Sequence, residues 1–179
     1  MSKNKPSILP YTHIDGIPTL RDSDLLGLYH RMAVEGSASA AWPYGPERWM
    51  AEMKERRSLL YVVMVIESPG GMLWLNDFRG KYAHVHLVVF KEFHGRDHVE
   101  KGRFAVQSVL NGKDALGRYV FDGFVGMIPA WNRVAVAYAL RCGFRKVGVV
   151  PFGHYNVYAD RSEPAVMLVL GRGDCRGDS

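Results

Sequence analysis

The sequence predicts an α/β domain in which helices flank a mixed β-sheet. Apolar and turn-forming residues give the order helix, helix, three-strand meander, helix, strand, helix, strand, strand. The strands of a meander run antiparallel, whereas a helical crossover joins parallel strands, so both kinds of pairing are expected. The 179 residues, 47% of them hydrophobic, are enough for one such domain with a core of its own.

The first third of the chain is predicted to be mainly helical. After a flexible arm over residues 1–10, the stretch HIDGIPTL is expected to form a short strand. Apolar residues at helical spacing predict a helix over 24–34. A linker of small residues follows, and Pro46 opens a second predicted helix that ends at Arg57.

The remaining two thirds are predicted to form the sheet and its crossovers. LLYVVMVIE is continuously apolar, which is typical of a strand buried on both faces. Ser68-Pro69-Gly70-Gly71 is expected to be a turn, because glycine adopts positive φ without strain. The other predicted elements are strands over 71–78, 82–90, 120–128, 144–152 and 165–170, helices over 98–110 and from Asn132, one domain over 11–171, and a flexible tail over 172–179.

Composition and charge exclude several classes of protein. No apolar run approaches the roughly 18 residues of a membrane helix, so no membrane association is expected. The N-terminus lacks the apolar segment of a secretory signal, and the two cysteines are far apart, which indicates a reducing cytoplasm. The net charge of +5 favours anionic partners, but the basic residues are scattered, so nucleic acid is not the expected partner. No metal-ligand spacing is present, so no metal is expected.

The stretch NRVAVAYALRCGFRKVG contains its own start and stop signals for a helix. Asn132 is a favourable N-cap residue, and Gly143 can take the left-handed position that ends a helix, although any capped amphipathic helix can show these features. Its characteristic residues are Asn132, Ala135, Gly143, Phe144 and Gly148. This pattern resembles the end of the GNAT superfamily domain of N-acetyltransferases. The resemblance implies a GNAT-like acyl-CoA N-acyltransferase fold, with Asn132 beside the pantetheine arm of acetyl-CoA as co-substrate.

A second part of the resemblance is the upstream stretch VFKEFHGRDHV. It is similar to the family's loop Q/R-x-x-G-x-G/A, in which backbone N–H groups at a helix N-terminus hold the pyrophosphate. The resemblance implies a splayed sheet, in which strands 82–90 and 120–128 run parallel and separate at their C-terminal ends to leave the cofactor slot. It also implies that N–H groups near Leu87, Val88 and Val89 polarise the thioester carbonyl. The implied loop contacts are His94, Gly95, Arg96, Asp97, His98 and Val99.

The loop departs from the family pattern at three positions. His94 stands at the Q/R position, Asp97 at the first glycine and Val99 at the final glycine or alanine. Val99 carries a Cβ where the backbone should approach the phosphates, and Asp97 sets a carboxylate against an anion. Positive side chains would then have to replace the backbone cradle. Those near the loop are Arg96, Lys101 and Arg103.

The sequence offers several candidates for the catalytic acid. The family often has a tyrosine seven residues after the asparagine, which protonates the departing thiolate. That position is Ala139 here, and Tyr138 lies one residue earlier, about 100° round the helix. Tyr138 is therefore either a packing residue or a displaced acid. Other candidate donors are His154, Tyr155 and Tyr158.

The candidate general bases are His84 and His86, which share one face of strand 82–90. The resemblance sets this strand beside the acetyl group, and a histidine near its ordinary pKa of about 6.5 can deprotonate an amine. The alternative is that both are cross-strand partners on a half-exposed face. His86 is preferred because it lies nearer the level of Leu87–Val89, and burial is expected to lower its pKa.

The acceptor site and the activity also have alternatives. Trp42 and Tyr44 either line a substrate mouth, because the family's first two helices frame the acceptor, or pin a loop to the core. The first hypothesis is an enzyme that moves an acetyl group from acetyl-CoA to a primary amine, on a small molecule or a protein, in a ternary complex. The second is a non-catalytic binding domain with a degenerate loop, similar to the divergent members found in phages and prophages. A homodimer is compatible with either hypothesis.

Overall fold

The computed structural model describes residues 6–35, 44–55, 58–94 and 97–174. The helices are α1 (Asp22–Val34), α2 (Pro46–Lys54), α3 (His98–Leu110) and α4 (Arg133–Arg141), with a 3-10 turn at Lys91–Phe93. The strands are β1 (Ser7–Pro10), β2 (His13–Ile14), β3 (Ile17–Pro18), β4 (Leu59–Val65), β5 (Ser68–Arg79), β6 (Tyr82–Val89), β7 (Gly123–Pro129), β8 (Arg145–Asn156) and β9 (Arg161–Gly171). The predicted order of helices and strands from 22 onward is therefore confirmed.

Seven strands form one mixed sheet in the order β1-β4-β5-β6-β7-β9-β8, and β2 and β3 form a separate hairpin. The chain divides into two compact units. The first contains Met1–Asp77 and His86–Lys101, and the second contains Phe78–Val85 and Gly102–Ser179. The single domain over 11–171 stays a prediction.

In the first unit, residues Ser7–Pro10 form a strand although the sequence places them in a flexible arm. They pair antiparallel with β4, with Ser7 opposite Met64 and Pro10 opposite Tyr61. Prolines in a sequence usually indicate irregular structure, but proline is tolerated in an edge strand, and β1 is an edge strand of the sheet. The arm prediction is wrong for these four residues, and residues 1–5 lie outside the described parts of the chain.

The turn between β4 and β5 lies two residues earlier than predicted. Val65 pairs with Ser68, so Ile66 and Glu67 form a two-residue turn in which Ile66 has a φ of 60°. Gly71 instead lies inside β5, where a Cβ would stand 2.4 Å from the carbonyl oxygen of Val88. Glycine is required there because β5 and β6 approach closely, and this requirement was misread as a turn signal.

The core of the first unit is centred on aromatic rings from α1, α2 and β5. Trp49 and Trp74 pack edge to face with centroids 6.2 Å apart, and Tyr29 lies 5.9 Å from Trp49. The other buried members are Leu25, Leu28, Met32, Met53, Leu60, Val62, Met72, Val88 and Phe90. These contacts confirm the helical spacing of the apolar residues in α1.

In the second unit, β7 lies between β6 and β9. Tyr82, Ala83 and His84 pair in parallel with the first three residues of β7, Gly123 to Val125. This confirms the predicted parallel crossover, and the ladder covers three pairs in strands of eight and seven residues. β9 pairs antiparallel with β7 over all seven residues of β7.

The last hairpin extends further than predicted. β8 reaches Asn156, and it is interrupted by irregularities between Lys146 and Gly148 and between Val150 and His154. His154 and Tyr155 therefore lie in a strand and not in a loop, while Tyr158 lies in the turn before β9. Glycines and a proline in this stretch hid the continuation, because bulged strands tolerate both.

The start and stop signals of α4 are confirmed. The Asn132 side-chain oxygen accepts a hydrogen bond from the Ala135 N–H at 3.1 Å. At the other end, Gly143 has a φ of 105°. The Phe144 N–H donates to the Ala139 carbonyl and the Gly143 N–H to the Leu140 carbonyl, each at 3.1 Å. This is the Schellman arrangement that only a residue without Cβ adopts cheaply.

Candidate active site

His86 lies on β6 in the first unit, in contact with two residues of β5. Its ring stacks on Trp74, with centroids 4.7 Å apart and planes inclined by 9°. Its Nε2 atom lies 3.3 Å from Oδ1 of Asn76. These contacts fix both the plane and the rotation of a half-buried imidazole, which is the arrangement a general base needs.

Leu87, Val88 and Val89 follow His86 on the same strand. They lie further along β6 than the three residues that pair with β7. Val88 is buried in the core of the first unit. The Val89 carbonyl accepts a hydrogen bond from Nε2 of His94 at 2.9 Å, so His94 closes onto the end of β6.

The predicted pyrophosphate loop leads into α3. His98 begins the helix, and the Lys101 N–H donates to the Asp97 carbonyl at 3.1 Å, which makes Asp97 the N-cap residue. The residue that precedes the first turn of α3 therefore carries a carboxylate. Asp97 is exposed and Val99 half-buried, and Gly95 and Arg96 lie outside the described residues. The loop fits an anion through the helix terminus and opposes it through Asp97.

His84 belongs to the second unit and stands opposite Val125 in the β6–β7 ladder. Asn132 and Tyr138 lie on α4 of the same unit. Because the Asn132 oxygen is engaged in the cap, its amide NH₂ is the group that would be offered to a ligand. The structure therefore places the two candidate bases in different units.

Tyr138 packs against α3 and its own helix. A Cβ on Gly102 would stand 2.0 Å from the Tyr138 hydroxyl oxygen and 2.8 Å from the Cys142 sulfur. Burial, and then the neighbouring Cys142 thiol, raise the pKa of Tyr138 above its ordinary value. Burial likewise raises the pKa of Cys142 to about 11. These surroundings favour the packing role of Tyr138.

The predicted substrate residues precede α2. Tyr44 is exposed, and the Arg48 guanidinium lies 4.3 Å from the centre of its ring. Trp42 lies outside the described residues. Tyr44 therefore stands on the surface of the first unit.

Two polar features were missed by the sequence analysis. The first is the set of partners around His86, in which Asn76 donates to Glu52 Oε1 at 3.4 Å. Strand alternation puts Trp74 and Asn76 on one face of β5, so this signal was present in the sequence.

The second missed feature is an open cleft of about 550 Å³ in the second unit. At its edge, the Glu163 carboxylate accepts hydrogen bonds from Trp131 Nε1 at 3.0 Å, Asn156 Nδ2 at 3.2 Å and Arg161 Nε at 3.1 Å. Desolvation opposes ionisation, but these hydrogen bonds outweigh it and lower the pKa of Glu163. The residues that line the cleft are Ala130, Trp131, Arg161, Ser162, Glu163 and Pro164.

Within the described ranges, no three His, Cys, Asp or Glu side chains are grouped so that they could hold a metal ion. None of the helices in these ranges is long and apolar enough to cross a lipid bilayer.

Comparison with solved structures identifies the fold. The microcin C7 self-immunity acetyltransferase MccE, in complex with acetyl-CoA and AMP, is 20% identical with a TM-score of 0.63, over 84% of this chain and 86% of that one. Spermidine N-acetyltransferase from Vibrio cholerae, in complex with CoA and spermine, is 13% identical with a TM-score of 0.68, over 95% and 97%. The Salmonella typhimurium acetyltransferase that modifies the N-terminal serine of 50S ribosomal protein L7/L12 is 14% identical with a TM-score of 0.67, over 84% and 91%.

These similarities confirm the predicted GNAT-like fold. No protein-family model matches the sequence, and no curated protein matches it at a significant level.

Proposed function

We propose that this protein is an N-acetyltransferase that moves an acetyl group from acetyl-CoA to a primary amine. The observation that carries the proposal is the fold, shared over most of the chain with acetyltransferases whose structures contain acetyl-CoA or CoA. The acceptor we propose is an amine on a small molecule or on a protein. The named substrates of the similar enzymes, spermidine and a protein N-terminus, belong to these two classes.

In the proposed reaction, the amine nitrogen attacks the thioester carbonyl carbon. The carbon–nitrogen bond forms, the carbon–sulfur bond breaks, and CoA leaves as a thiolate that takes a proton. His86 takes the proton that the amine loses, and N–H groups near Leu87–Val89 stabilise the negative charge that develops on the carbonyl oxygen. His84 is the alternative base. Tyr138 as the acid stays a prediction, which its burial beside Cys142 disfavours.

We propose that the pyrophosphate of acetyl-CoA contacts the first turn of α3, while the role of Asn132 beside the pantetheine arm rests on the sequence resemblance alone. The helix terminus supports the pyrophosphate contact, because the first-turn N–H dipoles and the helix dipole attract an anion. Asp97 weakens this contact by its charge. His94, His98 and Val99 flank the same turn, while the roles of Gly95 and Arg96 rest on the sequence resemblance alone.

The test is calorimetric titration of acetyl-CoA into the full chain and into Asp97→Gly. We expect saturable binding at micromolar concentrations in the parent and tighter binding in the variant. Glu67→Gln makes the same change in net charge on the exposed turn between β4 and β5, and its affinity should equal that of the parent. Acetyl transfer is then assayed with a panel that includes polyamines and a peptide with an N-terminal serine.

Two results would overturn the proposal. Absence of acetyl-CoA binding in both the parent and Asp97→Gly would favour a non-catalytic binding domain. Binding without transfer to any amine of the panel would favour the same alternative. Equal affinities of the parent and Asp97→Gly would instead move the pyrophosphate away from this loop.

We also propose a cytoplasmic location and a homodimer. The edge strand β8 exposes Val147, Val149 and Phe152, and the phenylalanine is 79% exposed. An exposed apolar edge strand favours pairing with a second copy. Light scattering of the purified chain would give the mass in solution, and a monomer at all concentrations would contradict the proposal. A phage or prophage origin stays a prediction, which the genes beside its own would test.

A further inference from the structure

A chain of polar side chains connects α2 to the His86 imidazole within the first unit. Glu52 Oε1 accepts hydrogen bonds from the Ser58 hydroxyl at 3.1 Å and from Asn76 Nδ2 at 3.4 Å. Asn76 Oδ1 lies 3.3 Å from His86 Nε2. Ser58 is buried, and the other three side chains are half-buried.

The chemistry of the carboxylate fixes the direction of every hydrogen bond in the chain. An ionised carboxylate only accepts hydrogen bonds, so Asn76 must turn its NH₂ toward Glu52 and its carbonyl oxygen toward His86. That oxygen also only accepts, so the proton must lie on Nε2 of the imidazole. A neutral imidazole has one N–H and one lone pair, which places the lone pair on Nδ1.

We infer that Glu52, acting through Asn76, holds neutral His86 as the Nε2–H tautomer, so that the ring accepts a proton at Nδ1. The inference rests on the proposed function only in giving this proton a catalytic use. Glu52 and Asn76 are positioning residues, since neither touches the reacting atoms in this assignment.

Trp74 contacts the face of the His86 ring, whereas Asn76 contacts its edge. The stacked geometry keeps the imidazole plane fixed while its edge is held by Asn76. Proton uptake at Nδ1 gives an imidazolium ion, and a cation over an indole face is stabilised by the ring quadrupole. The two β5 residues thus have different roles. Asn76 determines which imidazole nitrogen carries the proton, and Trp74 stabilises the imidazolium ion.

The direct test is the tautomer of His86, measured by nitrogen-15 NMR of the imidazoles above the pH at which they titrate. The signals are assigned by their loss in His86→Gln. We expect the Nε2–H form in the parent. An Nδ1–H form, or rapid averaging between the two forms, would overturn the inference without any change of sequence.

Charge reversal at Glu52 provides the second test. In Glu52→Lys a donor replaces the acceptor, so the Asn76 amide should turn over, present NH₂ to His86 and drive it to the Nδ1–H form. Glu47→Lys makes the same substitution on the exposed face of α2 and should leave the tautomer unchanged. In Glu52→Lys/Asn76→Asp a carboxylate again faces Nε2, and the Nε2–H form should return. Retention of the Nε2–H form in folded Glu52→Lys would contradict the inference.

Kinetics separates the tautomer from the catalytic proposal. Glu52→Lys should lower kcat toward the level of His86→Gln, with little change in acetyl-CoA affinity, and the double variant should recover most of the rate. The expected NMR pattern without these rate changes would keep the tautomer and remove His86 as the base. Rate changes without the NMR pattern would remove the proposed role of Glu52 and Asn76.

Discussion

At the scale of single residues, the two histidines of β6 have different surroundings. His86 is stacked and hydrogen-bonded by β5, whereas His84 stands opposite Val125. We expect His86→Gln to reduce turnover roughly 10²–10⁴-fold, the usual share of general acid–base catalysis, with little effect on acetyl-CoA binding. Steady-state acetyl transfer by the parent, His86→Gln and His84→Gln measures this. Equal rates in all three would exclude both histidines from the chemistry.

The half-buried Tyr138 and the buried Cys142 should make the protein sensitive to alkali. Burial raises the pKa of the Cys142 thiol from 9.0 to about 11, so the folded state keeps a proton that the unfolded state releases. Stability should therefore fall between about pH 9 and pH 11, by up to about 3 kcal/mol from this group. The raised pKa of Tyr138 acts in the same direction.

Urea unfolding across this pH range measures the effect, with Cys142→Ala as the comparison. Tyr61, whose pKa burial also raises, contributes equally to both proteins and cancels. A stability difference between parent and variant that does not change with pH would contradict the assignment.

At the scale of elements, two helical glycines provide a matched pair. A Cβ on Gly102 of α3 would collide with the Tyr138 hydroxyl and the Cys142 sulfur, whereas nothing lies within 4 Å of a Cβ on Gly27 of α1. Gly102→Ala should lower the free energy of unfolding by about 1–3 kcal/mol, because overpacking forces its neighbours to move. Gly27→Ala should raise it by about 0.5–1 kcal/mol through helix propensity. Denaturant unfolding measures both, and two changes of the same sign would be unexpected.

Elements whose signals are local could be predicted from the sequence, and elements with tertiary causes could not. The ends of α4 were predictable because Asn132 and Gly143 act on their own helix. The turn before β5 was misplaced because Gly71 is dictated by the approach of Val88, a residue 17 positions away in the sequence. β1 was missed for a related reason, since its hydrogen bonds come from β4.

At the scale of the whole molecule, net charge should govern how strongly salt affects ligand binding. The chain carries a net charge of +5 with a pI of about 9.3, and CoA is a polyanion. Acetyl-CoA affinity should fall as ionic strength rises from about 0.01 M to about 0.15 M, over which the screening length shortens from about 30 Å to about 8 Å. Calorimetry at the two salt concentrations tests this. Acetyl-pantetheine, which lacks the phosphates, should show no such dependence, and equal salt effects on both ligands would point away from phosphate recognition.

The candidate site was predictable only in part, because its members come from distant segments. The placement of two histidines on one face follows from strand alternation, and this pattern makes His86 a candidate base. The hydrogen bonds that give His86 its orientation come from Asn76 and, through it, from Glu52 on α2. Strand alternation places Asn76 on the same face as Trp74, but no spacing in the sequence predicts the link to Glu52, because that link depends on how α2 packs against β5.

The turn at Ile66 has a consequence for laboratory evolution of this chain. A β-branched residue at positive φ costs about 1–3 kcal/mol, and Ile66 is 64% exposed, so little packing compensates for it. Ile66→Gly or Ile66→Asn should relieve this strain without replacing any of the residues proposed for chemistry. A library built on such a background would tolerate more of the destabilising substitutions that accompany a change of acceptor. The position is thus a starting point for widening the range of amines the protein can be made to use.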